Sequence, residues 1–360
     1  MVLENKAYVP TLAVRASEMN GLEFLPGATK DRMTPCFLLA PWANSNSLDR
    51  TITRIESAFP GRPYFLDIDR DYQFTNLESQ PQRELAQLMD PENSFENWVS
   101  FVGEHEMVWP CIQSRGQSED EIRTQIESFQ ELGRPYCMRI VRDRFPENID
   151  EIVNAFAAGG AADFAIILEG GWTRDPLTLA VWFSGVIAES LEAIDATVPV
   201  VLSCTSIPKM FTTYSDDSPM EVAFSNRQLI QQVAQHSNCA RIIYGDWGST
   251  RPREISGYAN RPLDRIDYPT ERAWHVARYK EGEWDYQDAA SAIVDSPAWD
   301  GNLGIWGEEM IQNTTINEEL GINTPQKNVA ARVNIHLHRQ AFYGQPPLDP
   351  AAFDEEWQDD

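Results

Sequence analysis

The sequence predicts an α/β protein, a (β/α)8 TIM-like barrel with a C-terminal α+β extension. Short apolar, β-branched or aromatic runs recur between residues 7 and 250, and a polar or helical stretch follows each run. Strands that alternate with helices indicate parallel βαβ units, and eight units in about 250 residues suffice for a closed barrel. The eight runs begin near Ala7, Met33, Arg62, Met107, Tyr136, Asp163, Val198 and Arg241.

Helical patterns occupy the stretches between these runs. Ser118 and Glu121 have the spacing of a capping box, and the amphipathic helix that they begin is predicted to end at Gly133. The connection between the third and fourth strands is long enough for two short helices. The other predicted helices span residues 83–89, 94–102, 146–160 and 175–195.

After the eighth strand the chain becomes rich in Arg, Tyr, Trp and turn residues. A β-hairpin with a Glu-Gly turn is predicted over 277–284, followed by helices over 286–296 and near 330–340. The last residues are rich in proline and then acidic, which predicts a mobile tail. The predicted divisions are a barrel at 1–255, a Trp-rich extension packed on it at 256–345 and an acidic tail at 346–360.

The formal net charge of −26 limits the partners of this chain. Binding to a nucleic-acid backbone requires clustered Lys and Arg, so direct backbone binding is not expected, and anionic membranes are disfavoured for the same reason. The acidic residues are scattered, which is typical of a solvated surface. A mimic of nucleic-acid charge is a less favoured interpretation of the same composition.

Cysteine usage and hydropathy predict a cytoplasmic protein. Four of the five cysteines fall within predicted buried strands, and none has the spacing of a zinc site. The N-terminus has no apolar signal segment, and no run reaches the length needed to span a bilayer.

Polar side chains accumulate where the predicted strands end, which is where barrel enzymes place their chemistry. If the strands alternate regularly, Asp67, Arg139, Glu169 and Asp246 face the barrel mouth, and we predict them as catalytic residues. Three carboxylates and one guanidinium could hold a divalent cation or provide a general acid and base. The alternative is a structural ion-pair layer, since buried charges need partners whether or not there is a reaction.

The loop after the eighth strand is a candidate anion site. It combines Gly248, Ser249, Thr250, Arg251 and Arg253, and barrels often bind phosphate near their seventh and eighth strands. No Gly-rich phosphate-binding spacing is present, and such clusters are also ordinary turns.

No standard catalytic motif appears elsewhere in the chain. His336 and His338 are two positions apart, so a helix would direct them to different faces, and a metal pair is not expected. The tryptophans of the C-terminal third could stack on a base or sugar, but they more commonly hold an extension to a barrel.

The chain resembles the beta family, which occurs in tailed phages and many bacterial genomes. The similarity runs nearly end to end, and the family's closing Asn-His-His is kept only in part, since Ile335 separates Asn334 from His336. The matching positions are Tyr8, Pro10, Leu12, Arg15, Glu18, Pro35, Asp67, Arg139, Tyr244 to Trp247, Trp274, Arg278, Tyr279, Trp306 and Gly307.

The resemblance implies the barrel and a phage-related biology, but it implies no reaction. Arg15 and Tyr244 of these motifs, together with Ser249 and Arg251, are our predicted substrate-binding residues. Two classes of function remain open. The first is a binding or interaction component of a phage-related system, in which the acidic surface recognises a basic protein partner. The second is a metal-assisted hydrolase of a phosphorylated or nucleotide-like small molecule at the mouth.

Overall fold

Eight parallel strands form the inner wall of the protein. The structure is a computed structural model that describes residues 2–159, 163–211, 219–239, 241–253, 263–278 and 284–345. The sheet order is β4-β3-β2-β1-β9-β7-β6-β5, and a parallel bridge between Cys111 and Cys137 closes it. In chain order the strands are β1 (Tyr8–Ala13), β2 (Cys36–Leu39), β3 (Tyr64–Ile68), β4 (Val108–Pro110), β5 (Tyr136–Val141), β6 (Phe164–Trp172), β7 (Val200–Thr205), β8 (Met220–Ala223), which lies outside this sheet, and β9 (Ile242–Asp246). The predicted barrel and all eight of its strands are confirmed.

Helices cover the outside of the barrel and pack on the outward-facing apolar residues of the strands. Ser118 and Glu121 form the predicted capping box, in which each side chain accepts a hydrogen bond from the backbone N–H of the other residue. The helix predicted over 175–195 is shorter in the structure. It ends at Gly185, and a π-helical turn follows. The helices of this layer are α1 (Ala16–Glu23), α2 (Gly27–Asp31), α3 (Asp49–Ala58), α4 (Gln80–Leu88), α5 (Glu92–Gly103), α6 (Glu119–Glu131), α7 (Ile149–Ala158), α8 (Pro176–Gly185) and α9 (Asn226–His236).

The amino-terminal half of the barrel interior is apolar. Val2 and Leu3 close this end of the barrel and join one buried cluster with the inward-facing strand residues. Cys36, Cys111 and Cys137 belong to the same cluster. Their burial agrees with the sequence prediction that these cysteines lie in buried strands. In the described strands, inward-facing polar side chains such as Glu169 and Ser203 lie above this cluster, towards the carboxyl ends.

A second, smaller sheet combines β8 with two strands that follow the barrel, and three α-helices come after them in the described residues. β10 (Arg265–Pro269) and β11 (Ala273–Arg278) are antiparallel, and β11 also pairs with β8. The turn of the predicted hairpin and the predicted tail lie outside the described residues. The helices are α10 (Tyr286–Val294), α11 (Trp306–Ile316) and α12 (Pro325–Ala341). The first and third of them were predicted, whereas α11 was not.

The last of these helices, α12, joins both parts of the structure. Val333 and Leu337 pack in the main cluster beneath the barrel helices, whereas Ala331 and Ile335 pack in the smaller cluster with β10 and α10. α12 lies along α1, and a Cβ atom on Gly21 of α1 would approach the carbonyl oxygen of Ala330 to 2.7 Å. The predicted division at residue 255 stays a prediction.

Gly21→Ala should destabilise the protein because the α1–α12 contact has no room for a methyl group. We expect a loss of about 1–3 kcal/mol in the free energy of unfolding, measured with urea. Gly103→Ala is the matched control, since Gly103 ends α5 with nothing within 4 Å of an added Cβ. Equal stability of the two variants would contradict the close packing of α12.

The stability of the protein should also fall as the pH drops from 7 to 5. Burial, and then Arg339, lowers the pKa of His338 to about 4, and its Nδ1 lies 2.9 Å from Thr29 Oγ1 on α2. The unfolded chain takes up the proton near pH 6.5 and the folded protein does not, which removes about 2 kcal/mol by pH 5.

His338→Asn should remove this part of the pH dependence, because Asn does not titrate. Urea unfolding at pH 7 and pH 5 measures the difference, and exposed His236 provides the control variant His236→Asn. The same loss of stability in wild type and His338→Asn would exclude His338 as its source.

Candidate functional site

Three of the four predicted catalytic residues meet at the floor of the barrel mouth. Arg139 Nη1 donates a hydrogen bond of 2.9 Å to Asp67 Oδ2, and its Nη2 lies 3.9 Å from Glu169 Oε2. The Arg139 side chain is 5% exposed. Burial lowers the pKa of Arg139, but the charges of Asp67 and Glu169 outweigh this effect and hold the pKa above its ordinary value. The guanidinium is thus a fixed positive charge at the mouth.

Glu169 is enclosed by hydrogen-bond donors. Each of its carboxylate oxygens accepts two hydrogen bonds, so neither oxygen has a lone pair left for a substrate or a metal. Burial raises the pKa of Glu169. Arg139 and the hydrogen bonds lower it by a smaller amount, so the pKa of Glu169 lies above its ordinary value. The donors are Trp247 Nε1 at 2.8 Å and Gly171 N at 2.9 Å to Oε1, and Ser203 Oγ at 3.0 Å and Thr11 Oγ1 at 3.3 Å to Oε2.

Asp246 does not face the mouth, which corrects the prediction. Strand residues alternate between the two faces of a sheet, and on β9 the inward positions belong to Gly245 and then Trp247. Asp246 therefore points outward, under α12, where its Oδ2 lies 2.7 Å from His336 Nε2. Burial raises the pKa of Asp246. The nearby His336 and the hydroxyls of Tyr8 and Tyr244 lower it by a larger amount, so the pKa of Asp246 lies below its ordinary value.

Tyr244 is likewise removed from any substrate at the mouth. Its ring lies on the outer face of β9, its hydroxyl donates to Asp246 Oδ2 at 2.8 Å, and the guanidinium of Arg227 lies 3.7 Å from the ring centre. Tyr244 therefore does not face the mouth, for the same reason of alternation, and its role in substrate binding stays a prediction. Tyr244 and Asp246 instead belong to a buried polar contact that ties α12 to the barrel.

A cavity of about 600 Å³ opens above Arg139, at the carboxyl ends of β3, β4 and β5. We call it the arginine cavity, because Arg70, Arg115, Arg139 and Arg144 line it. Asp67 and Glu147 are the carboxylates among its lining residues in the described part of the chain. Its apolar wall is formed by Ile68, Ile112, Val141, Phe145 and Pro146.

Gln113 connects the floor of the arginine cavity to its wall. Its Nε2 donates to Asp67 Oδ1 at 2.8 Å, and its Oε1 accepts from Arg70 Nη2 at 2.7 Å. The backbone of Gln113 is itself held by both side-chain groups of Gln125 on α6. Burial lowers the pKa of Arg70, while the nearby Asp67 raises it. The amide of Gln113 therefore fixes the guanidinium of Arg70 relative to Asp67, and through Asp67 relative to Arg139.

Sequence reasoning missed three of the four cavity arginines. Arg70 and Arg115 lie in loops after β3 and β4, and Arg144 lies in a short 3-10 helix, Arg142–Arg144, directly after β5. The recurrence of Arg after three consecutive strands was the available signal, because consecutive strands of a barrel are neighbours at the mouth.

The other predicted substrate-binding residues lie on the opposite side of the mouth. Arg15 Nη2 donates to the carbonyl oxygen of Arg251 at 2.9 Å, and both side chains line a second cavity of about 350 Å³. Ser249 does not line it, since Ser249 is buried and its Oγ accepts a hydrogen bond of 2.7 Å from Trp274 Nε1. Within the predicted loop after β9, Arg251 thus lines the second cavity, whereas Ser249 makes a structural contact with Trp274.

The predicted set of metal ligands does not assemble. Arg139 lies between Asp67 and Glu169, and Asp246 faces away from both. In the ranges given above, no group of three or more His, Cys, Asp or Glu side chains could hold a metal ion. His336 and His338 contact Asp246 and Thr29 respectively, so they face different neighbours, as their spacing predicted.

The fold and the mouth together define an α/β barrel protein with a cationic cavity at the carboxyl ends of its strands. The chain belongs to the Beta protein family, whose family model matches residues 8–342. This match confirms the resemblance that the sequence motifs indicated. "Protein beta" of Enterobacteria phage P4 is 25% identical over 348 residues, which cover 94% of this chain and 93% of the phage protein.

Among solved structures, the chain is similar to the carboxyl transferase domain of Rhizobium etli pyruvate carboxylase with pyruvate and biocytin. The identity is 8%, the TM-score is 0.34, and the match covers 96% of this chain and 49% of that chain. This chain thus spans about half the length of that structure. A similarity at this level says nothing about activity.

Of the helices in the described ranges, none combines the length and apolar character that crossing a membrane requires. The cytoplasmic location stays a prediction.

Glu169→Gln should destabilise the protein strongly, because it leaves the buried charge of Arg139 with Asp67 alone. We expect the free energy of unfolding to fall by about 3 kcal/mol. Glu131→Gln, at the exposed end of α6, is the control and should change stability by less than about 0.5 kcal/mol. A loss below about 1 kcal/mol for Glu169→Gln would show that Arg139 does not depend on Glu169.

Proposed function

We propose that this chain is a binding component of a phage-related system, and that it holds a phosphorylated or nucleotide-like small molecule in the arginine cavity. The observation that carries the proposal is the charge of this cavity. Four arginines and two carboxylates line it, although the whole chain has a net charge of −26. The lining residues thus have a net positive charge, which favours an anionic ligand, while Asp71 pairs with Arg144 and Glu169 lies beside Arg139 behind the lining.

Arginine suits a phosphate group because its planar fork can donate two hydrogen bonds to two phosphate oxygens. Arg139 is anchored at the cavity floor by Asp67 and Glu169, so little side-chain entropy is lost when an anion binds. Its Nε is buried and has no hydrogen-bond partner within the described ranges. Arg115 is exposed at the rim, where it can meet an incoming anion first.

The remainder of the arginine cavity favours a ligand with an organic part. Ile112, Val141 and Phe145 provide apolar surface suited to a ring. Gln117 and Asn148 provide polar groups, and the buried Oε1 of Gln117 has no hydrogen-bond partner in the part of the chain that the structure describes. A cavity with an apolar wall and a few directed polar groups is typical of small-molecule sites.

Binding is favoured over hydrolysis because the two carboxylates at the cavity floor are occupied, while Glu147 is exposed at the rim. Both oxygens of Glu169 are saturated by donors, and Asp67 accepts from Arg139, from Gln113 and from the N–H of Ile68. A general base needs an oxygen that can reach the proton it removes. These carboxylates orient the guanidinium of Arg139, which is a binding role.

The protein partner that the acidic composition suggests belongs to the same proposal. Outside its cationic cavities a chain of this charge attracts basic rather than acidic surfaces. A basic protein of a phage-related system is the partner that fits this chemistry.

Nucleoside phosphates and sugar phosphates should raise the melting temperature of the protein if the arginine cavity binds them, since they bind only the folded state. Calorimetry on the compound with the largest shift gives its Kd. Arg115→Gln should weaken binding about tenfold, because one charge-assisted hydrogen bond is lost. Partly exposed Arg123 on α6, which pairs with Glu119 and lies outside both cavities, gives the charge-matched control Arg123→Gln, which should bind as wild type does.

Two results would contradict this proposal. The first is a panel in which no compound shifts the melting temperature of the wild-type protein. The second is binding that is as tight in Arg115→Gln and Arg70→Gln as in Arg123→Gln.

A further inference from the structure

We infer that the second cavity, at the carboxyl ends of β7, β9 and β1, is a separate binding site for a compact phosphate group. Its side chains are distinct from those of the arginine cavity. The inference therefore stands whether or not the proposed function holds.

The lining of the second cavity is strongly cationic. Five basic side chains line its volume of about 350 Å³, and Glu18 is the carboxylate that lines it among the described residues. They come from three barrel loops, β10 and α12, so the extension completes a site that the barrel begins. The basic residues are Arg15, Lys209, Arg251, Arg265 and Arg332.

Arg332 of α12 is the buried cation of this site. Its side chain is 7% exposed, and its Nη1 donates to Asp267 Oδ2. Asp267 also pairs with Arg265 through hydrogen bonds of 2.9 and 3.2 Å, so two guanidinium groups share one carboxylate. The Nε of Arg332 is buried without a hydrogen-bond partner in the described ranges. A buried guanidinium in this position favours an additional anion.

The amino terminus of α1 contributes to the same cavity. α1 begins at Ala16, its N-cap residue Arg15 makes no side-chain capping bond, and Ser17 lines the cavity. The first N–H groups of a helix have no partner within the helix, and together with the helix dipole they favour an anion. Arg15 holds this terminus against the loop after β9 through the carbonyl of Arg251.

Two of the five cations pack on aromatic rings. Arg265 lies 4.4 Å from the ring centre of Phe211, and Lys209 lies 4.5 Å from that of Trp172. Cations placed in this way around a small volume match a dianion with oxygens directed to several sides, such as a phosphate group. A larger organic ligand is better served by the arginine cavity with its greater volume.

Titration of the full chain with inorganic phosphate tests the inference, with calorimetry and the melting temperature as readouts. Lys209→Gln and Arg251→Gln should each weaken phosphate binding about tenfold. Arg123→Gln is the control that should leave it unchanged, and Arg115→Gln reports separately on phosphate bound in the arginine cavity. Lys209 is exposed, so its variant should fold.

Ser17→Asp gives an independent readout. Ser17 Oγ donates to Glu18 Oε2 at 2.9 Å, so a second carboxylate at this position repels a phosphate as well as Glu18 and should abolish the rise in melting temperature on adding phosphate. A phosphomonoester such as glycerol 3-phosphate separates the sources of the group. Binding at least tenfold tighter than inorganic phosphate assigns the site to a phosphorylated molecule, and equal binding assigns it to free phosphate.

Two outcomes would overturn the inference. One is the absence of a phosphate-dependent shift in wild type. The other is phosphate binding that Arg115→Gln weakens while Lys209→Gln and Arg251→Gln do not, since the phosphate would then occupy the arginine cavity alone.

Discussion

Closure of eight strands into a barrel is the constraint on which the rest of this structure depends. It forces alternate side chains of every strand into one enclosed interior, where an unpaired charge is costly. The apolar cluster fills the amino-terminal half, and Arg139 is tolerated above it only because Asp67 and Glu169 neutralise it. Glu169 in turn requires its four donors. The floor of the mouth is thus one cooperative unit.

The same constraint explains what the sequence could and could not predict. Apolar runs and turn residues were sufficient for the eight strands, and the spacing of Ser118 and Glu121 was sufficient for the start of α6. The convergence of Asp67, Arg139 and Glu169 followed from their place at strand ends. The prediction that Asp246 faces the mouth was wrong because Gly245 takes the inward-facing position of β9. A Cβ atom on Gly245 would meet the carbonyl of Val9 at 2.8 Å. That contact exists only between strands far apart in the chain.

The distribution of charge is the second organising feature. A chain of net charge −26 places basic side chains around two cavities on opposite sides of one mouth. Loops supply four of these eight arginines, namely Arg15, Arg70, Arg115 and Arg251. Loop conformation is set by tertiary contacts such as that of Gln113 with Gln125. A sequence pattern contains little of that information, whereas helix caps and strands are local. The cavities could therefore not be derived from spacing, although the strand ends that carry them could.

The position of α12 has a consequence for how the protein is made. β1 pairs with β9, from Tyr8 to Tyr244, and α12 at Pro325–Ala341 packs along α1. The barrel therefore cannot close until the ribosome has released β9, and α12 cannot pack on α1 until nearly the whole length described by the structure has been released. Until then its strands have unpaired edges, which favour aggregation or capture by chaperones. Synthesis of this protein thus includes a long interval before native closure, and any co-translational binding of a phosphate at the second cavity must wait for α12.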